Sequence, residues 1–185
     1  MTGTRHPTRR GILSVIGVAV GVIAVLVLSR RPSEDLPSSA VRDWSRIASG
    51  RLHLDMRSSS PSAVSGFFVE QEFPFRVEPT TIALPGYQLV GARVHALGGR
   101  PTALAVHRDA RNKIVVCQRF EGRVEELPRP DRIFVRDALK VHLYRSRGAN
   151  AVFWQDGAVA RSLASDVPET ELLRLALSGK SSVVP

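Results

Sequence analysis

From Gly11 to Ser29 the chain reads GILSVIGVAVGVIAVLVLS, with no charged residue. At ~1.5 Å per residue a helix of this length spans ~28 Å, close to the ~30 Å hydrocarbon thickness of a bilayer. A helix packed on a protein core would carry a polar stripe, and this segment has none. The segment therefore predicts a transmembrane helix. It is too long for the apolar core of a cleaved signal, and Leu28-Ser29-Arg30-Arg31 follows where a small-residue cleavage site would stand. Gly17 and Gly21 form a GxxxG pair that would allow a second helix to approach closely, although unremarkable membrane glycines look the same. Thr8-Arg9-Arg10-Gly11 fits a twin-arginine export signal or a plain basic leader end.

Arginines flank this stretch on both sides, and their count favours a cytoplasmic N-terminus by one charge. The expected layout is a cytoplasmic tail (1–10), a transmembrane helix (11–29), a polar linker (30–39), a periplasmic domain (40–178) and a flexible tail (179–185). The protein would then be single-pass in a bacterial inner membrane, its first partner being the cytoplasmic membrane itself. The net charge of +9 fits this layout. Without Arg5, Arg9, Arg10, Arg30 and Arg31, 21 basic residues face 17 acidic ones. No Lys/Arg run is interleaved with aromatics, so nucleic acid is not expected as a partner. Hydrophobic content of 43% argues for a packed domain rather than disorder.

Beyond the linker, Val41, Trp44, Ile47 and Ala48 recur at helical spacing. Ser60-Pro61 supplies an N-cap and a first-turn proline for a second short helix through Phe67 and Phe68. The middle of the chain is strand-like, and its turns are Gly98-Gly99-Arg100-Pro101, Asp109 to Asn112, Arg147 to Asn150 and Asp156-Gly157. Leu139, Val141 and Leu143 alternate with Lys140, His142 and Tyr144, which predicts one dry and one wet face. Asp166 and Pro168 open a last helix carrying Leu172, Leu173 and Leu175. The expected fold is α+β: the transmembrane helix, then an antiparallel β-meander with helices packed on one face.

Chemistry-bearing residues are sparse. His95, His107 and His142 fall on expected strands without metal-ligand spacing, and strand histidines are ordinarily structural. Cys117 could be drawn with His107 and Asp109 as a nucleophile set, but it sits in the apolar run Val115-Val116-Cys117 and reads as a core thiol. No nucleotide-binding or hydrolase motif is present. The expectation is therefore no cofactor, no metal and no catalytic residue.

Two stretches carry a resemblance. Leu84-Pro85-Gly86-Tyr87-Gln88-Leu89-Val90-Gly91-Ala92-Arg93, followed by Leu97-Gly98-Gly99-Arg100-Pro101-Thr102-Ala103, resembles the extracytoplasmic half of bacterial transmembrane anti-sigma factors. So does Val152-Phe153-Trp154-Gln155-Asp156-Gly157 with Ser165-Asp166-Val167-Pro168 and Glu171-Leu172. The resemblance spans roughly residues 41–176. It implies the strand-and-turn fold and an extracytoplasmic location. It makes Tyr87, Gly91, Arg93, Pro101, Trp154, Asp156, Gly157 and Asp166 candidate structural or partner-contact residues. Those proteins hold their sigma factor with a cytoplasmic domain, often bearing a His-x3-Cys-x2-Cys zinc motif; residues 1–10 contain no cysteine. The expected function is thus a non-catalytic sensor or interaction module that binds a protein partner. The alternatives are a split anti-sigma-type regulator of envelope signalling and a thiol- or metal-dependent periplasmic enzyme.

Overall fold

The computed structural model describes residues 35–178. Helix α1 (Leu36–Ala48) begins where the carboxylate of Asp35 accepts the Ser38 amide hydrogen, with Pro37 in the first turn. It ends where Gly50 takes φ +70°. Strand β1 (Met56–Arg57) and helix α2 (Pro61–Glu70) follow, α2 being capped by the Ser60 hydroxyl through the Ala63 amide. A single turn, α3 (Pro79–Ile82), leads into β2 (Gln88–Leu97), β3 (Arg100–Arg108) and β4 (Ile114–Glu121). After a 3-10 turn at Val124–Glu126 come β5 (Arg132–Arg136), β6 (Leu139–Ser146), β7 (Ala149–Asp156), β8 (Val159–Ser165) and helix α4 (Glu169–Ser178).

The eight strands form one antiparallel sheet in the order β1-β2-β3-β4-β8-β7-β6-β5. This is two four-stranded meanders joined through their last strands, with Cys117 opposite Leu163 and Arg119 opposite Arg161. Because β4 and β8 meet at the centre, the chain crosses to the far edge between them, and β5 becomes an outer strand. The crossing segment is pinned by Tyr144, whose hydroxyl donates to the Pro128 carbonyl at 2.8 Å.

The expected architecture is corrected in two respects. First, helices cover both faces of the sheet. On one face, α2, α3 and α4 bury Phe68, Ile82, Leu172 and Leu175 against Cys117, Val141, Trp154 and Leu163. On the other, α1 places Leu36, Ala40 and Val41 against Phe120, Tyr144 and Phe153, and Ile47 against Leu104 and Val116. On the face of β6 that alternation marks as wet, Tyr144 packs with α1 and His142 lies beside the 3-10 turn, so both are buried while Lys140 stays exposed. Second, among the described residues no helix is long and apolar enough to cross a membrane. The segment 11–29, with its Gly17 and Gly21 pair, lies outside the described residues, so the single-pass membrane reading has no support in the structure.

Candidate functional site

Strand β5 reads Arg-Ile-Phe-Val-Arg and pairs only with β6. Its outer edge therefore offers backbone N–H and C=O groups that no described strand takes up. Alternation sends Phe134 toward α4, where Arg132 stacks on its ring at 5.2 Å. Ile133 and Val135 point to the opposite side and are 48% and 71% exposed. Such exposure of β-branched residues on a free edge is what most edge strands avoid by charge, proline or cover. Here the two arginines flank the apolar centre without interrupting it.

Beside this edge lies an open cleft of about 700 Å³ between the β5–β6 turn and α4. Leu139, Leu173 and Leu177 form its apolar part, and Arg136 and Arg174 stand at its rim. Arg136 is largely exposed and only loosely held, 3.6 Å from the neighbouring Asp137. Arg132 and Arg145 both pair with Glu169, fixing the start of α4 against β5 and β6.

The sheet interior holds two polar clusters that sequence reading did not find. Arg119 and Arg161 are buried side by side under α3, and both guanidinium groups donate to the Thr81 carbonyl. Arg161 also meets the Asp156 carboxylate at 3.2 Å and lies over the Trp154 ring at 5.0 Å. Burial, with Arg161 opposite, pushes the Arg119 guanidinium down to about 10, so it remains charged at neutral pH. On the other face, the buried Asp43 carboxylate of α1 accepts from Gln118 at 3.1 Å and pairs with His95 at 2.9 Å. Gln118 in turn accepts from the Ser162 hydroxyl at 3.2 Å. The signal for both clusters was the pair Gln118-Arg119, polar on both faces of a strand otherwise as apolar as Val115-Val116.

The residues singled out in the sequence do not gather at one place. Trp154 and Asp156 come together on Arg161, and Gly157 forms the turn that follows, at φ +61°. Gly91 and Arg93 both serve the segment before α2. Arg93 donates to the His53 carbonyl at 2.7 Å, and a Cβ on Gly91 would stand 2.1 Å from the Met56 carbonyl oxygen. Tyr87 packs against the core beside α4, where burial first and the Glu171 charge second raise its phenol. Pro101 is exposed on β3, and Asp166 is bound by Lys113 at 2.6 Å.

The three histidines point apart. His107 lies on the α3 side and donates from Nε2 to the Ile82 carbonyl at 2.8 Å; His95 and His142 lie on the α1 side. Among the described residues no cluster of three His, Cys, Asp or Glu could hold a metal ion. Burial pushes His107 down to about 4 and lowers His142, so both rings are neutral at pH 7.

Comparison with protein-family models, with curated proteins and with solved structures gave no match.

Proposed function

We propose that the folded part of this chain is a non-catalytic interaction domain that binds an extended segment of a protein partner along β5. The observation that carries the reading is the pair Ile133 and Val135, exposed on a strand with a free edge. An added strand would gain backbone hydrogen bonds from β5 and side-chain contacts at alternate positions. Of the arginines around the edge, Arg132 is held by Glu169 and Arg174 by Glu171, which leaves Arg136 at the end of the strand as the loosely held cation. The chemistry this edge recognises is an apolar stretch with an acidic residue at one end, because a carboxylate there would meet the Arg136 guanidinium. The interior clusters support a scaffold role: their polar groups bind one another and the backbone rather than facing an open pocket.

Co-purification of the full-length chain from its native cells tests this. Ile133→Lys with Val135→Lys should release a stoichiometric partner, whereas Val69→Lys, an exposed site on α2, should retain it. All variants should melt within a few degrees of the parent, since surface changes rarely exceed about 0.5 kcal/mol. Retention of the partner by the β5 double variant would refute the reading. A homodimer broken by that variant would put a second copy, not a partner, on the edge.

A further inference from the structure

On the face of the sheet away from α2, α3 and α4, a second cleft of about 440 Å³ opens along α1. Arg42, Arg46 and Arg51 line it from α1 and the residues just after it, and Arg147 reaches it from the β6–β7 turn. Among the described residues none of these four lies within 4.0 Å of a carboxylate oxygen. Their contacts are with neutral groups: Arg42 donates to the Ser39 hydroxyl at 2.6 Å and Arg51 to the Ser49 hydroxyl at 2.9 Å. The one acidic residue within α1, Asp43, is turned into the sheet and held by His95 and Gln118. The C-terminal end of α1 accounts for cations at Arg46 and Arg51, whose charge complements the helix dipole. It does not account for Arg42, one turn earlier, or for Arg147 on another element.

Arg147 sits at φ +50°, a backbone region that favours glycine, so the turn holds an arginine where the backbone alone would not select one. Trp44 completes the lining. Its indole N–H donates to the Ile114 carbonyl at 3.0 Å, which fixes the ring while leaving it half-buried beside the arginines. Four uncompensated guanidinium groups around one concavity exceed what a single carboxylate would neutralise. They suit a multiply charged oxyanion, whose oxygens accept paired N–H donors. The cleft volume is of the size that takes a small molecule rather than a bare ion.

We propose that this cleft binds a phosphate-bearing ligand, the four arginines holding the phosphate groups and the fixed Trp44 ring packing on the moiety that carries them. The site is separate from β5 and does not depend on the partner reading. A soluble phosphate ester and an anionic lipid headgroup present the same chemistry, and the two probes below distinguish them.

The full-length chain is titrated with pyrophosphate and, separately, with a short-chain phosphatidylglycerol held below its micelle concentration. Heat and tryptophan emission are followed. Saturable binding of at least one probe is expected, weakening as chloride is raised because exposed charges are screened. Trp44→Phe should remove the emission change, since Trp154 is buried on the other face. Arg46→Gln with Arg147→Gln should weaken binding tenfold or more while the melting temperature stays unchanged, both side chains being exposed. Tighter binding of the lipid would assign the source to a headgroup, and tighter binding of pyrophosphate to a soluble phosphate. No saturable signal at millimolar concentration with either probe would overturn the proposal, as would equal affinity in the double arginine variant.

Discussion

Arg119 on β4 and Arg161 on β8 stand directly opposite each other in the central strand pair, and both donate to the carbonyl of Thr81. Two buried like charges share one backbone acceptor, and only Arg161 reaches a carboxylate, the half-exposed Asp156. Their partners are unequal. Arg161 holds Asp156, the Trp154 face and Thr81; Arg119 has no carboxylate among the described residues. Arg119→Met should therefore cost less than about 1 kcal/mol, because it removes a repulsion along with one hydrogen bond. Arg161→Met should cost about 2–3 kcal/mol, because Asp156 loses its partner and Arg119 is left as the sole cation on Thr81. Urea unfolding of the two variants checks the order. A larger loss for Arg119→Met would mean that the Thr81 contact outweighs the ionic one.

The Asp43 carboxylate ties α1 to the sheet across a long stretch of sequence, through His95 on β2 and Gln118 on β4. Asp43→Ala leaves buried donors without an acceptor and should destabilise by about 2–4 kcal/mol. Asp43→Asn keeps an acceptor oxygen for Gln118 and should cost about half as much. Equal losses in the two variants, measured by urea unfolding, would show that volume rather than hydrogen bonding fixes α1.

What the sequence made legible was mostly local. The Ser60-Pro61 helix start, the Gly98-Gly99 and Asp156-Gly157 turns and the strand through Val115 and Val116 follow from residues within a few positions of each other. The second covered face was not legible, because Tyr144, Gln118 and Ser162 look like solvent-facing positions until α1 closes over them. Their burial depends on partners far away in sequence, such as Asp43 for Gln118, and alternation carries no information about those. The exposed edge was hidden for a related reason. Ile133-Phe134-Val135 is an ordinary short strand by composition, and only the central pairing of β4 with β8 sends it to the outside. The arginine cleft joins α1 to a turn about a hundred residues later, a proximity that depends on register.

His107 makes the fold acid-sensitive. Its Nε2–H is given to Ile82 and its Nδ1 is buried with no partner, so a proton on Nδ1 would place an unpaired charge in the core. The folded ring titrates at about 4, below the free value of 6.5. Between those values the unfolded chain binds a proton that the native state refuses. Stability is then complete above about pH 6.5 and declines as pH falls toward 4, by roughly 3 kcal/mol in all. His142, lowered in the same direction by burial and by Lys140, adds to the decline. In His107→Asn the baseline stability should drop, but most of the slope between pH 6.5 and 4 should vanish in urea titrations. An unchanged slope would remove His107 as its source.

The turn that ends β5 is strained in a way that one substitution can relieve. Asp137 and Ala138 join β5 to β6 in a two-residue turn at φ +48° and +60°. Both positions of such a turn need left-handed backbone, which matches the twist of the flanking strands. Aspartate tolerates this region, but for alanine the contact between Cβ and the carbonyl costs roughly 1–2 kcal/mol. Glycine at 138 removes that contact and returns part of the gain, about 0.4–1 kcal/mol, as added freedom of the unfolded chain. Ala138→Gly should thus stabilise the domain by about 0.5–1 kcal/mol, and Ala138→Val should destabilise it, the branched side chain being worse still at positive φ. Thermal and urea unfolding of the pair decide the matter, and a stabilising valine or a destabilising glycine would mean the turn is not left-handed. Because the turn borders the cleft beside α4, the glycine variant also bears on binding at β5. If a partner strand adds to an edge already in its bound geometry, Ala138→Gly should change partner affinity less than twofold while raising stability. A larger loss of affinity would indicate that the rigidity of this turn, and not only the exposed Ile133 and Val135, sets the docking surface.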